Sequence, residues 1–319
     1  MMRIINIAAG AACCMLCALA AACLQQNNTA PALRLGYLQN DLHHLPAFVA
    51  LEKGYFKDEG LEVQTAGAFK AGPEEMSAFG ARELDIGYVG QAPATAAVLN
   101  GVADVKFIAQ VNLEGSSIVA GKDSSDENLF SLAGKTVAIP GHATMQDFLL
   151  RKALAKNNIK ISELKIIVLK PPEMLQALNL KNIDAFIAWE PYPAQAVNNN
   201  TGKIILSSGE IQENHPCCVL VASAELCAKS PEIIKKTQAV HRRACGYIEN
   251  NRNEAIEIGS KYTGMDRETV SRALSGIKYR FELDRRKGAE FVDFLKDLRY
   301  VKPQNLDKKL SALYEFAEN

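Results

Sequence analysis

The chain lacks an excess of either charge: Lys and Arg total 36 and Asp and Glu total 36 over 319 residues. No global field therefore draws nucleic acid or an anionic membrane surface, and any selectivity must be local. Tryptophan is nearly absent, with Trp189 the single example. The motifs that carry catalytic chemistry are missing too. Gly134-Lys135-Thr136 has Leu129 where a phosphate-binding loop needs its first glycine. Past Cys23 there is no Gly-x-Ser-x-Gly elbow, no paired-histidine zinc helix and no Cys-x-x-Cys. Beyond the same residue no apolar run is long enough to cross a bilayer. The expectation is no enzymatic activity, no cofactor and no nucleic-acid partner.

The first residues are of a different kind. Arg3 precedes an apolar run from Ile4 to about Ala22, which ends in Leu19-Ala20-Ala21-Ala22-Cys23 and is followed by the polar Gln25-Gln26-Asn27-Asn28-Thr29. This resembles a bacterial lipoprotein signal, with residues 1–22 as signal peptide, Cys23 as the lipidated residue and 23–32 as linker. It departs from that pattern at Ala20, where leucine is usual; plain secretion and an uncleaved anchor are the alternatives. Either form of export implies an extracytoplasmic protein, and lipidation at Cys23 would anchor it to the membrane. Eight cysteines then reduce to Cys217, Cys218, Cys227 and Cys245. Buried free thiols are one reading of these and a bridge such as Cys227 to Cys245 the other.

From residue 33 strands and helices alternate, with strands expected near residues 33–38, 61–66, 84–89, 105–111, 116–120, 136–139, 164–169, 183–188, 203–207 and 217–222. That pattern argues for an α/β fold, and ten strands divide more naturally into two lobes than one sheet. Val111 to Val119 and Cys218 to Ala222 are the candidate crossings. Lobe 1 would comprise residues 33–115 and 223–319, with a helical tail packed on it, and lobe 2 residues 116–222. Each lobe is expected to be a mostly parallel sheet flanked by helices.

Four strand-to-helix junctions stand out. Asp184-Ala185-Phe186-Ile187-Ala188-Trp189-Glu190-Pro191-Tyr192 runs an apolar strand into an aromatic, a carboxylate and a proline placed to begin a helix. His43 and His44 precede Pro46, Gly90 and Gln91 precede Pro93, and His142 leads to the cap Thr144. If all four junctions face one cleft, their helix N-termini hold a small anion. Each end is worth roughly 0.3 to 1 kcal/mol, or ~2 when partly buried, against about 8 for micromolar affinity. Side chains must add the rest, and the candidate ligand contacts are His43, His44, Gly90, Gln91, His142, Thr144, Trp189 and Glu190.

Glu190 facing the cleft would repel nitrate or a simple alkanesulfonate and favour an amine, hence a zwitterion or a cation; alternatively it only caps its helix. Trp189 either walls the ligand or packs a sheet end. Imidazoles with Glu190 could hold a transition metal, but no pair has ligand spacing on one helix, and no metal residue is assigned.

The segment Leu45-Pro46-Ala47-Phe48-Val49-Ala50-Leu51-Glu52-Lys53-Gly54-Tyr55-Phe56-Lys57-Asp58-Glu59-Gly60-Leu61-Glu62-Val63 resembles the opening of solute-binding proteins of the nitrate, sulfonate and taurine class of ABC importers. Glu83-Leu84-Asp85-Ile86-Gly87-Tyr88, Gly134-Lys135-Thr136-Val137-Ala138-Ile139-Pro140-Gly141 and the Trp189-Glu190-Pro191 stretch resemble its later elements, in the family's order. The resemblance implies a two-lobed clamshell of the type II periplasmic-binding-protein fold. It also implies capture of a small-molecule anion or zwitterion, such as a sulfonate or aminosulfonate like taurine, and less readily nitrate. Delivery would be to ABC permease subunits with a cytoplasmic ATPase. A receptor for a metal or metal chelate, and a protein of thiamine-pyrimidine-precursor binding or synthesis, are the alternatives.

Overall fold

The computed structural model describes residues 32–125, 128–301 and 304–316; Cys23 and the leader lie outside them. Two sheets organise this part of the chain. The first joins β1 (Leu33–Leu38), β2 (Val63–Phe69), β3 (Ile86–Gly90), β4 (Val105–Glu114), β10 (Pro216–Ser223) and β11 (Ile277–Tyr279) in the order β11-β4-β10-β3-β1-β2. The second joins β5 (Ser116–Gly121), β6 (Thr136–Ile139), β7 (Lys165–Val168), β8 (Ala185–Trp189) and β9 (Gly202–Ser207) in the order β7-β6-β8-β5-β9.

Both sheets are mixed rather than mostly parallel. β1 pairs in parallel with β2 and β3, and β6 with β7 and β8, whereas β10, β11 and β5 pair antiparallel with their neighbours. The antiparallel members are largely the strands that carry the chain between sheets, which enter from the opposite direction. β4 passes into β5 through Gly115, whose φ of +89° only glycine adopts readily. The return crossing lies upstream of the expected one. Cys218–Ala222 is hydrogen-bonded between β4 and β3, so the chain leaves β9 and regains the first sheet by Pro216. A continuous apolar run marks a central strand, and seven of the eight residues of β10 are buried.

Helices cover both faces. Those used below are α1 (Leu45–Glu52), α2 (Gly72–Gly80), α3 (Gln91–Asn100), α4 (Met145–Lys156), α5 (Pro171–Asn179), α6 (Tyr192–Asn198), α7 (Pro231–Asn250), α8 (Arg252–Thr263), α9 (Arg267–Leu274), α10 (Arg285–Asp297) and α11 (Leu306–Leu313). The tail helices rest on α3 of the first lobe, where Tyr314 Oη meets Gln91 Nε2 at 2.6 Å. They also reach the second lobe: Phe291 and Phe294 of α10 stack edge-on against Phe148 of α4, with centroids 4.8 and 5.0 Å away. The four cysteines among the described residues, Cys217, Cys218, Cys227 and Cys245, are free and buried, so no Cys227 to Cys245 bridge forms.

Candidate functional site

The loop after β1 folds under its own carboxylate. Asp41 Oδ1 accepts the His43 N–H at 2.8 Å and closes a 3-10 turn, Leu42–His44, directly before α1. That turn buries Asp41, His43 and His44 completely or nearly so, and each imidazole then takes a different direction. His44 Nδ1 accepts the Leu38 N–H at 3.0 Å, which leaves the proton on Nε2. This Nε2 has no hydrogen-bond partner among the described residues and lies 3.8 Å from Asp41 Oδ2. His43 Nε2 lies 2.7 Å from the Gly115 carbonyl, to which it donates. Its Nδ1 faces Cys217 Sγ at 3.5 Å and Cys218 Sγ at 3.6 Å.

Gly115 is where the two lobes and this loop meet. Its carbonyl also accepts the Glu190 N–H at 2.9 Å, while the Glu190 carbonyl accepts from Leu42 N at 3.2 Å. The Glu190 carboxylate accepts the Ala194 N–H at 3.0 Å, so it caps the start of α6. Pro191 sits one position before that helix instead of opening it, and Pro193 takes the early-helix place where a missing N–H costs nothing.

Burial sets the ionisation of this cluster. It raises Asp41 to about 7 despite the opposing pull of His43, and raises Glu190 to about 7 despite the Ala194 N–H. Glu75 on α2, buried beneath Gly36 and Gly87, is pushed well above the usual carboxylate range by that burial, and neither oxygen has a hydrogen-bond partner among the described residues. Burial lowers His44. For His43 burial is outweighed by the Cys217 and Asp41 charges, which raise it to about 9, while Cys218 and His43 hold the Cys217 thiol low.

The remaining expected contacts divide into two groups. Trp189, at the end of β8, is buried in one apolar cluster with Leu38, and its Nε1 has no partner among the described residues. Gly90 is buried at the N-terminus of α3, but the amide of Gln91 is turned to Tyr314 of the tail. Thr144 caps α4, with Oγ1 accepting from Asp147 N at 3.3 Å. His142 is 56% exposed and pairs with Tyr300 Oη at 3.2 Å at the rim, so it is remote from His43 in role and burial. The structure thus brings His43 and Glu190 together on Gly115 with His44 beside Asp41, joins Gln91 and His142 to tail tyrosines, and leaves Thr144 as the cap of its own helix.

Sequence reasoning missed Asp41, Glu75, Cys217 and Cys218 as members of the site. Asp41 was detectable as a turn cap two residues before His43. The cysteines meet His43 across 174 and 175 positions, a pairing without local signal. Glu75 lies in a first helical turn beside Glu74, where carboxylates are ordinarily solvated.

Residues 26–259 match the NMT1-like family. A Bacillus subtilis protein named for binding aliphatic sulfonates is 27% identical over 239 residues, which cover 73% of this chain and 71% of that protein. Among solved structures, the alkanesulfonate-binding protein SsuA from Xanthomonas axonopodis pv. citri, bound to MOPS, superposes with a TM-score of 0.77 at 18% identity, covering 88% of this chain and 97% of that one. The periplasmic nitrate-binding protein NrtA from Synechocystis PCC 6803 gives 0.78 at 17% identity, over 88% and 84%. With its two mixed sheets joined through Gly115, the chain belongs to the NMT1-like family and has the two-lobed fold of these periplasmic binding proteins.

Proposed function

We propose that this protein is the extracytoplasmic solute receptor of an ABC importer, and that its cargo is a small amine-bearing oxyanion such as an aminosulfonate. The family match and the sulfonate- and nitrate-binding relatives support the receptor role. Cargo would be held between the lobes and passed to permease subunits driven by a cytoplasmic ATPase, with Cys23 tethering the receptor to the membrane. No helix among the described residues is long and apolar enough to cross a bilayer. The role is binding, not catalysis.

One observation carries the choice of cargo: among the described residues no Lys or Arg is buried, whereas Asp41 and Glu190 are. A simple anion would meet two carboxylates and no guanidinium. An amine suits those carboxylates, and the unpartnered N–H groups of His44 and Trp189 suit the oxyanion at its other end. Closure then follows from contacts to both lobes, which favour the closed state by their differential affinity.

Calorimetric titration with taurine, ethanesulfonate and nitrate tests this reading. Taurine is expected to bind most tightly and nitrate least. Heat from nitrate equal to that from taurine would remove the role assigned to the carboxylates, and silence from all three, together with simple carboxylates, would sink the anion reading.

A further inference from the structure

His43, Cys217 and Cys218 form a three-cornered array whose dimensions are those of a metal site. The sulfur atoms are 4.0 Å apart, and His43 Nδ1 is 3.5 and 3.6 Å from them. For Zn–S bonds of about 2.3 Å and Zn–N bonds of about 2.0–2.1 Å at tetrahedral angles, the edges are about 3.8 Å between sulfurs and about 3.5 Å from nitrogen to sulfur. The three distances therefore surround one point at bonding range from each atom.

We propose that His43 Nδ1, Cys217 Sγ and Cys218 Sγ bind a thiophilic tetrahedral ion, zinc(II) being the best fit. Thiolate and imidazole together select such ions over magnesium or calcium. Two thiolates and a neutral imidazole cancel the charge of zinc(II), which suits a site where all three residues are buried. The supporting contact is also in place. A ligating histidine is oriented by giving its other N–H to a carbonyl or carboxylate, and His43 Nε2 gives its N–H to Gly115 at 2.7 Å.

The same reasoning excludes the neighbouring imidazole. His44 Nδ1 is occupied by the Leu38 N–H, so its Nε2 carries a proton and has no lone pair to give. Every proposed ligand comes from the first lobe, in the loop after β1 or in β10. The site therefore does not need the lobes to be closed, and it stands whether or not the cargo is a sulfonate.

Cobalt(II) titration of the reduced full chain, in the absence of solute, tests the site. One equivalent is expected to produce a thiolate-to-cobalt charge-transfer band with the visible bands of tetrahedral cobalt, and zinc should displace it. Cys217→Ser and Cys218→Ser should each weaken binding at least roughly 100-fold, the upper end of what losing a mere supporting contact costs. Cys227→Ser, outside the array, should leave the spectrum unchanged. X-ray absorption on the zinc-loaded wild type gives a check independent of variant folding, with two sulfur and one or two nitrogen or oxygen neighbours expected. A shell without sulfur, no stoichiometric cobalt band, or a wild-type cobalt spectrum in both folded serine variants would overturn the proposal.

Discussion

Lys170, at the start of α5 in the second lobe, holds its Nζ 2.9 Å from Oε1 of Glu74 on α2 in the first lobe. It is one of several rim contacts between lobes, with Arg272 Nε donating to Asn198 Oδ1 at 2.6 Å elsewhere. Both partners of the ion pair are partly solvated, so the pair contributes about 0–1 kcal/mol to closure. Lys170→Ala is expected to weaken solute binding by no more than about fivefold, with the loss largest at low ionic strength. The double exchange Glu74→Lys with Lys170→Glu should recover most of it. Calorimetry at low and high salt reads both effects; a loss independent of salt would show that Lys170 acts through something other than its charge.

Trp189 is the single tryptophan, so intrinsic indole fluorescence reports on one place, the end of β8. Its buried Nε1 has no partner among the described residues, and a solute oxyanion that supplies one should shift the emission. A hydrogen bond to a charged group is worth roughly 1.5–3 kcal/mol. Trp189→Phe should therefore lower affinity roughly 10- to 100-fold, and stopped-flow or equilibrium titration measures it. Unchanged affinity in the phenylalanine variant would reduce Trp189 to packing.

Most of this architecture is visible in local pattern. β8 is apolar at every position and buried at every position, and the helix from Pro231 to Asn250 is bounded by proline at one end and polar residues at the other. Thr144 acts as the cap its position suggests. What local pattern does not carry is pairing over distance. The three-residue strand β11 is stabilised by β4, 160 or so positions away, and a run that short has no periodicity to detect. For the same reason His43 and Glu190 are recognisable as residues of a junction, whereas the thiols facing His43 and the carbonyl of Gly115 holding it are not. Gln91 fails differently: its own loop is as expected, but a tyrosine from the tail takes its amide.

Gly115 should tolerate no side chain. A Cβ there would sit 2.9 Å from Ile277 Cγ1 and crowd the His43 ring, on a backbone with φ of +89°. Gly134 provides the control, since its φ is +76° but nothing lies within 4 Å of the added carbon. Gly134→Ala is expected to cost only the backbone penalty, about 1–2 kcal/mol. Gly115→Ala adds the clash and the loss of the His43 contact, for a total of roughly 3 kcal/mol or more. Urea unfolding of both variants measures the difference; equal losses would mean that the crossing relaxes without disturbing His43.

Glu190 should couple stability and binding to pH in opposite directions. Burial raises its carboxyl from 4.5 to about 7 in the folded protein. Between those values the folded chain keeps a proton that the unfolded chain has lost. The contribution is thus complete below about 4.5 and is lost as pH rises through 7, a difference on the order of 3 kcal/mol. Glu190→Gln keeps an oxygen for the Ala194 N–H and does not titrate. Wild-type stability minus that of the variant should therefore fall across this window and level off above it, as measured by urea unfolding at fixed pH values. An amine-bearing solute needs the ionised carboxylate, so taurine affinity in the wild type should rise over the same interval, while ethanesulfonate, which has no amine, should not follow it. If taurine and ethanesulfonate respond to pH alike, Glu190 caps its helix and does not read the amine.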